Sequence, residues 1–269
     1  MNCEAYAVRQ RPMRVQRGQS TGFEVTCARC SLKSKCLPAA LTPAELDAAE
    51  RSVLTRRRIG RGEALYRAGD AFESIYAVRV GFLTSIVNTS GGHTQVLGFQ
   101  MAGDLVGFDG LDTGLHTCDV VALEDSDVCV IPYRGLAEAA TATPALRARI
   151  PQLLGQEIER EQAMLQILST MRSDARVASF LLDISRRLGA RGLSRSEFVL
   201  KMTRGDIGSL LGITIETVSR IMTRFARLGH IHIDGRNVHI LDLDALTRMV
   251  ASRATARRAP LTVVVKQAA

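Results

Sequence analysis

One stretch constrains the fold more than any other: Thr203–Gly229, TRGDIGSLLGITIETVSRIMTRFARLG. It reads as two helices joined by a tight turn. Thr203 is placed to cap the first helix, with Asp206 near its positive end. Ile207, Leu210 and Leu211 form the inward stripe, and Gly212 supplies the turn. Thr214 is placed to cap a second helix that runs to Leu228 and stops at Gly229. That second helix has two unlike faces. Val218, Ile221, Met222, Phe225 and Leu228 recur at helical spacing and face inward. Glu216, Ser219, Arg220, Thr223 and Arg227 recur on the opposite side.

Such a polar face suits the DNA major groove. An arginine gives guanine two parallel hydrogen bonds, a carboxylate accepts from cytosine N4, and serine contacts either base type. In a helix-turn-helix, residues near the start of the second helix are the ones that reach base edges. Two short alternating runs, Ile231–Ile233 and Asn237–Leu241, flank Asp234-Gly235 and predict a hairpin. The expected unit is therefore a winged helix-turn-helix. A formal net charge of +8 favours an anionic partner, although Lys and Arg crowd the first 20 residues and the end of the chain as well as Arg56–Arg61. No apolar run approaches the ~18 residues of a membrane span, and the start lacks the apolar core of a signal peptide. A cytoplasmic protein with no membrane partner is expected, with its cysteines reduced.

Six cysteines in such a compartment point to metal or redox chemistry before disulfides. Three of them crowd the segment Cys27-Ala-Arg-Cys30-Ser-Leu-Lys-Ser-Lys-Cys36-Leu-Pro38. Three thiols at gaps of two and five residues can wrap one inorganic centre. Arg29, Lys33 and Lys35 would offset the charge of several thiolates. A fourth ligand must come from Cys3, Cys118 or Cys129. Zinc and an iron–sulfur cluster both accept four cysteines, and spacing does not choose between them.

From Leu41 to about Thr143 the texture changes to short β-type runs: Ser74–Val80, Phe82–Asn88, Gln95–Phe99, Asp119–Leu123 and Asp127–Ile131. Close spacing with Gly and Asp between the runs predicts an antiparallel sandwich or barrel, with Asp104–Phe108 as a connecting corner. His93 and His116 are read as turn residues rather than ligands of a metalloenzyme, because no second histidine and carboxylate follow at strand spacing. Pro144 opens a helical stretch, and Pro151 either kinks it or marks its true start. Beyond it Leu154, Ile158, Glu161, Leu165, Leu168 and Arg172 alternate by four and three. That narrow stripe is the seam of a coiled coil, which predicts a homodimer. Met164, Ile167 and Met171 occupy a neighbouring flank that faces the chain's own domains. Glu161 would meet its own copy across the two-fold axis. Two carboxylates about 5 Å apart at an effective dielectric of about 20 repel by roughly 3 kcal/mol, so the seam is expected to be weak and therefore switchable. Ser173–Leu188 forms a further amphipathic helix leading into the DNA-reading unit.

With these pieces in order, the chain resembles the CRP/FNR family of bacterial transcription regulators, and its FNR-type members most closely. The likeness covers roughly residues 27–250 and is carried by CARCSLKSKCLP, LYRAGD, IYAVRVG, GFQMAGDLVGFD, ALEDSDVCVIP, FLLDISRRL and MTRGDIGSLLGITIETVSR. The resemblance implies an α+β chain: an N-terminal antiparallel β-roll of the cyclic-nucleotide-binding kind, a long dimerisation helix and a C-terminal winged helix-turn-helix. Its domains are expected as an extension over 1–26, a cysteine segment over 27–40, the β-roll over 41–143, the dimerisation helix over 144–172, the DNA-binding domain over 173–250 and a basic tail over 251–269. It also implies an oxygen-labile 4Fe–4S cluster on Cys27, Cys30, Cys36 and Cys129, the last lying before Ile-Pro at a strand end, with Cys3 and Cys118 as spectators. The family's base-reading Glu-x-x-Ser-Arg falls on Glu216, Ser219 and Arg220, and its acidic seam residue on Glu161. Expected partners are a palindromic operator with a half-site like TTGAT, a second copy of the chain and RNA polymerase. The Arg-Ser/Thr-Ala phosphate clasp of nucleotide-binding relatives is missing from GDLVGFDGLDTGLHTCDV, so no cAMP is expected. The expected function is an oxygen-responsive transcription activator, not an enzyme. The alternative is a regulator of the same family that uses these cysteines as a zinc or thiol-redox site and answers another signal.

Overall fold

The computed structural model describes residues 27, 30–34, 36–46, 55–89 and 92–251. The expected N-terminal extension with Cys3, the cations Arg29 and Lys35, and the basic tail beyond Ala251 lie outside the described residues.

Eight strands build the N-terminal part: β1 (Thr55–Ile59), β2 (Ala64–Tyr66), β3 (Ser74–Val80), β4 (Phe82–Asn88), β5 (Thr94–Met101), β6 (Leu105–Val106), β7 (Asp119–Ala122) and β8 (Ser126–Pro132). They form two four-stranded antiparallel sheets, ordered β1-β8-β3-β6 and β2-β7-β4-β5. Alternation drives this layering. Val78, Leu83, Val120 and Val128 point between the sheets and are fully buried there with Ile59 and Leu65. Each such side chain contributes roughly 1.5–3 kcal/mol on burial, which holds the two sheets face to face. At the β3–β4 turn a side chain on Gly81 would meet Ser126 Oγ at 2.1 Å, and its φ is +99°, so only glycine lets these strands turn under β8.

From Tyr133 onward come the helices α1 (Tyr133–Ala142), α2 (Pro144–Thr170), α3 (Ser173–Gly189), α4 (Arg204–Leu211), α5 (Ile215–Arg227) and α6 (Leu243–Ala251). Between and after them lie β9 (Glu197–Val199), β10 (Ile231–Asp234) and β11 (Asn237–Ile240), which form a small antiparallel sheet in the order β10-β11-β9. The expected hairpin is present, with Gly235 at φ +57° in its turn. Its third strand β9 was not expected, because Glu-Phe-Val is too short to show a period. Nor was β1, whose Thr-Arg-Arg-Arg-Ile buries Ile59 alone and reads as a charge run.

Helix α2 runs without a break from Pro144, and Pro151 lies inside it. The proline ring removes one amide bond to the Arg147 carbonyl, but Arg147, Ala148, Pro151 and Gln152 all face solvent, where water can take that carbonyl. Leu146, Ile150 and Leu153 turn the other way, into a cluster with Leu37, Ile75 and Leu136. Helix α3 buries Val177, Phe180, Leu181 and Ile184 against α4, α5 and the small sheet, and β5 joins the same cluster through Val96, Phe99 and Met101. The β-sandwich and the helix-turn-helix thus share one continuous core along β5.

Candidate functional site

Two features carry chemistry. The first is a cavity of about 60 Å³ whose lining includes Cys27, Cys30, Cys36 and Cys129, the four cysteines expected to act together. Three arrive on a chain of backbone turns: Cys30 N–H donates to Cys27 O at 3.0 Å, Lys33 N–H to Cys30 O at 3.1 Å and Cys36 N–H to Leu32 O at 3.2 Å. The fourth comes from the middle of β8, where Cys129 pairs in register with Arg56 of β1 and Ala77 of β3. Leu37, Ala77, Val78, Ile131, Leu136 and Leu146 make the rest of the wall apolar.

Burial dominates the acidity of these thiols. It pushes Cys36 up to about 12, with Cys129 and Cys30 adding to the rise and Arg149 opposing it. Burial likewise raises Cys129 to about 11, against the pull of Arg79. The mutual influence of Cys30, Cys36 and Cys129 places the three within electrostatic reach of one another. Among the described residues no three His, Cys, Asp or Glu side chains converge closely enough to clasp a metal ion as they stand. The donor chemistry nevertheless fits a cluster or a soft metal: four sulfurs on one dry wall, with Lys33 and Arg79 beside them to offset thiolate charge.

Cys118 is apart from this set. It is buried between the sheets, donates to Asp109 Oδ2 at 3.6 Å and is raised to about 12, first by burial and then by that carboxylate. The two expected turn histidines differ. His93 is exposed, and its carbonyl closes the β4–β5 turn by accepting from Thr89 N–H at 2.9 Å. His116 is only 3% exposed, lies flat on Tyr66 with ring centroids 3.6 Å apart, and sets Nδ1 3.2 Å from Asp109 Oδ1. It is a core residue of the loop between β6 and β7. A buried histidine satisfied by a carboxylate 7 residues away leaves no periodic signal in the sequence.

The second feature is the exposed face of α5. Thr203 and Asp206 form the reciprocal capping box at the start of α4, Gly212 ends that helix in the left-handed conformation, and Thr214 caps α5 by accepting from Thr217 N–H at 3.3 Å. Val218, Ile221, Met222 and Phe225 are buried, so Glu216, Arg220, Thr223 and Arg227 necessarily face outward, with Ser219 half-exposed between them. Leu228, expected inward, is instead 54% exposed, because it is the C-cap residue beyond the last full turn of α5. Hydrogen bonds from its own backbone N–H and from Thr214 hold the Glu216 carboxyl below the usual range. Arg224, on the flank, is engaged elsewhere, 3.2 Å from Asp174 of α3. Arg220 has no partner among the described residues.

Sequence reasoning missed the residue that fixes this face relative to α2. Arg176 of α3 donates to Leu168 O (2.6 Å) and Met171 O (3.0 Å) at the end of α2, and to Leu211 O (2.8 Å) at the end of α4. One guanidinium thereby ties the last turn of the long helix to the turn before α5. On α2 itself Leu154 and Leu168 are half-buried, Ile158 is 53% and Leu165 65% exposed, and Glu161 is exposed. Among the described residues Ile158, Glu161 and Leu165 at the middle of the stripe expected to form a seam stay exposed, whereas Met164 packs on the core shared with α3.

Comparison with known proteins accords with this architecture. Residues 56–142 match the cyclic nucleotide-binding domain and residues 175–249 the Crp-like helix-turn-helix domain. The chain is 40% identical over 235 residues to the fumarate and nitrate reduction regulatory protein of Escherichia coli (strain K12), covering 87% of this chain and 94% of that one. It is 39% identical over 237 residues to the anaerobic regulatory protein of Haemophilus influenzae, covering 88% and 92%. Among solved structures, FixK2 from Bradyrhizobium japonicum superposes with a TM-score of 0.67 at 27% identity, over 73% of this chain and 97% of that one.

Proposed function

The chain belongs to the CRP/FNR family of transcription regulators, and from that premise we propose that it answers oxygen through a 4Fe–4S cluster held by Cys27, Cys30, Cys36 and Cys129. It is a DNA-binding, dimer-forming regulator rather than an enzyme. The observation that carries the finer reading is that these four thiols line one apolar cavity although Cys129 lies 93 positions beyond Cys36 in the chain. The naming of two relatives for fumarate and nitrate reduction and for anaerobic regulation supports it.

When bound, such a group supplies an oxygen-labile link among sulfurs that are distant in sequence. The residues of the chain do the rest. Cys129 presents its sulfur from a rigid strand, and the Cys27–Cys36 turns bring the other three to it. Leu37, next to Cys36, packs on Leu146 and Leu153 of α2, and Arg149 of α2 lies 3.5 Å from the Cys36 carbonyl. Holding the cysteine segment therefore holds the first half of α2. The seam Leu154, Ile158, Leu165 and Leu168 then pairs with its copy despite Glu161, and two α5 helices are set about one DNA turn apart. Glu216, Ser219 and Arg220 read a palindromic site with half-sites like TTGAT, and the DNA-bound dimer engages RNA polymerase as an activator in the cytoplasm. Among the described residues no helix is long and apolar enough to cross a membrane.

The test is chemical analysis of protein purified without oxygen. Iron and acid-labile sulfide are expected in equal amounts, lost when any of Cys27, Cys30, Cys36 or Cys129 is changed to Ser and kept in Cys118→Ser. Zinc without sulfide, or full iron retention in Cys129→Ser, would replace this reading with a different site.

A further inference from the structure

The corner between β5 and β6 has two neighbours of different kinds. Gly103, with Val78 and Arg79, lines the cysteine cavity. Asp104, the next residue, faces the other way, into α3. The corner is rigid. Gly103 N–H donates to Val78 O at 2.7 Å, Val78 N–H to Asp104 O at 2.9 Å, and Met101 N–H to Asp104 Oδ2 at 2.8 Å.

The Asp104 carboxylate is 5% exposed and holds two arginines: Arg187 of α3, Nη2 at 2.5 Å on Oδ2, and Arg191 in the turn just after α3, Nη2 at 2.8 Å on Oδ1. The same guanidiniums also reach the backbone of the sensor sheet, Arg187 donating to Phe99 O at 2.8 Å and Arg191 to Ala102 O. Arg160 of α2 approaches the carboxylate to 3.9 Å. Burial raises the Asp104 pKa, but Arg187 and Arg191 outweigh it and hold the carboxyl below its usual range. Arg187 shares a second acid, Asp183, at 3.4 Å. A second ion pair, Glu124 with Lys201 at 2.7 Å, joins the sandwich to the segment before α4, but among the described residues no other carboxylate of the sandwich pairs with α3. The ionic grip between the sandwich and α3 therefore depends on one side chain.

We propose that Asp104 is a positioning residue for DNA binding. It fixes α3, and through Arg176 and the shared core the reading helix α5, against the wall of the cysteine cavity. The link makes the cavity wall and the operator-reading face parts of one mechanical unit. It deepens the oxygen-sensing reading, on which its regulatory meaning rests, but the positional claim stands on these contacts alone.

The experiment compares wild type, Asp104→Asn, Arg187→Gln and the double variant, as full-length protein purified without oxygen and then exposed to air. Fluorescence anisotropy on a palindromic duplex gives DNA affinity, and hydrogen exchange on the same samples gives local opening. Each single change should weaken binding about tenfold or more, and the double should fall well short of the sum of the singles, since both remove the Asp104–Arg187 pair. Faster exchange should be confined to β5, α3 and α4, leaving β1 and β8 as in wild type. The salt dependence of binding should keep its slope, because no phosphate contact is lost. Where Asp104→Asn does not accumulate, Arg191→Gln carries the same comparison. Affinity within twofold of wild type, single effects that add in full, or exchange accelerated across the whole chain would overturn the proposal. A wild type without iron, equally tight in air, would instead remove the oxygen reading and leave these comparisons intact.

Discussion

At the scale of single residues, the DNA-reading face follows from local sequence and the clamps do not. Glu216, Ser219 and Arg220 could be placed because the inward stripe of one helix leaves its other side to solvent, and the structure has that division. Arg220 is exposed and has no partner among the described residues, which suits the base contact proposed for it. Arg220→Ala should cost about 1–3 kcal/mol of operator binding and relax discrimination at one position of each half-site, read from competition with single-base variants. Equal loss on every sequence would reassign Arg220 to a phosphate. Asp104 and Arg176 gave no comparable signal. Their partners lie 83 and 35 residues away for Arg187 and the Leu211 carbonyl, and the meaning of an acid or an arginine depends wholly on what the fold brings to it. His116 is the same case reversed: a loop position suggested a turn, and stacking on Tyr66 made it core.

At the scale of elements, legibility tracked periodicity. The long strands β3, β4 and β8 and the helices α3, α4 and α5 alternate cleanly, and their expected spans overlie the observed ones. β1 was opaque because three arginines occupy its partly exposed positions, and α1 because it follows β8 directly at Tyr133, with no cap residue to announce it. Helix α2 shows two sides of this in one element. The alternation of four and three marked a stripe that is exposed at Ile158, Glu161 and Leu165, while the helix's passage through Pro151 depended on which way that turn faced. The exposed stripe with Glu161 at its centre carries a prediction of its own. In iron-free protein, Glu161→Ala should shift sedimentation toward dimer by about 3 kcal/mol at most, the repulsion of two carboxylates about 5 Å apart. A variant as monomeric as wild type would show that charge at the seam does not set the equilibrium.

At the scale of the whole molecule, the chain couples two units that sequence could name but not join. The shared core of Val96, Phe99 and Met101 with α3 and α4, the Asp104 grip, and the packing of Leu37 on α2 all connect residues far apart in sequence. Together they give the cysteine cavity two routes outward, one to the seam and one to the reading helix. A marginal equilibrium needs a bias of only a few kcal/mol, since about 1.4 kcal/mol is a tenfold change. The most direct test is the affinity of one anaerobic preparation for its palindromic operator, measured before and after admission of air. The account predicts tight binding that falls at least about tenfold, with dimer converting to monomer in the same samples. Unchanged affinity after exposure to air would contradict it.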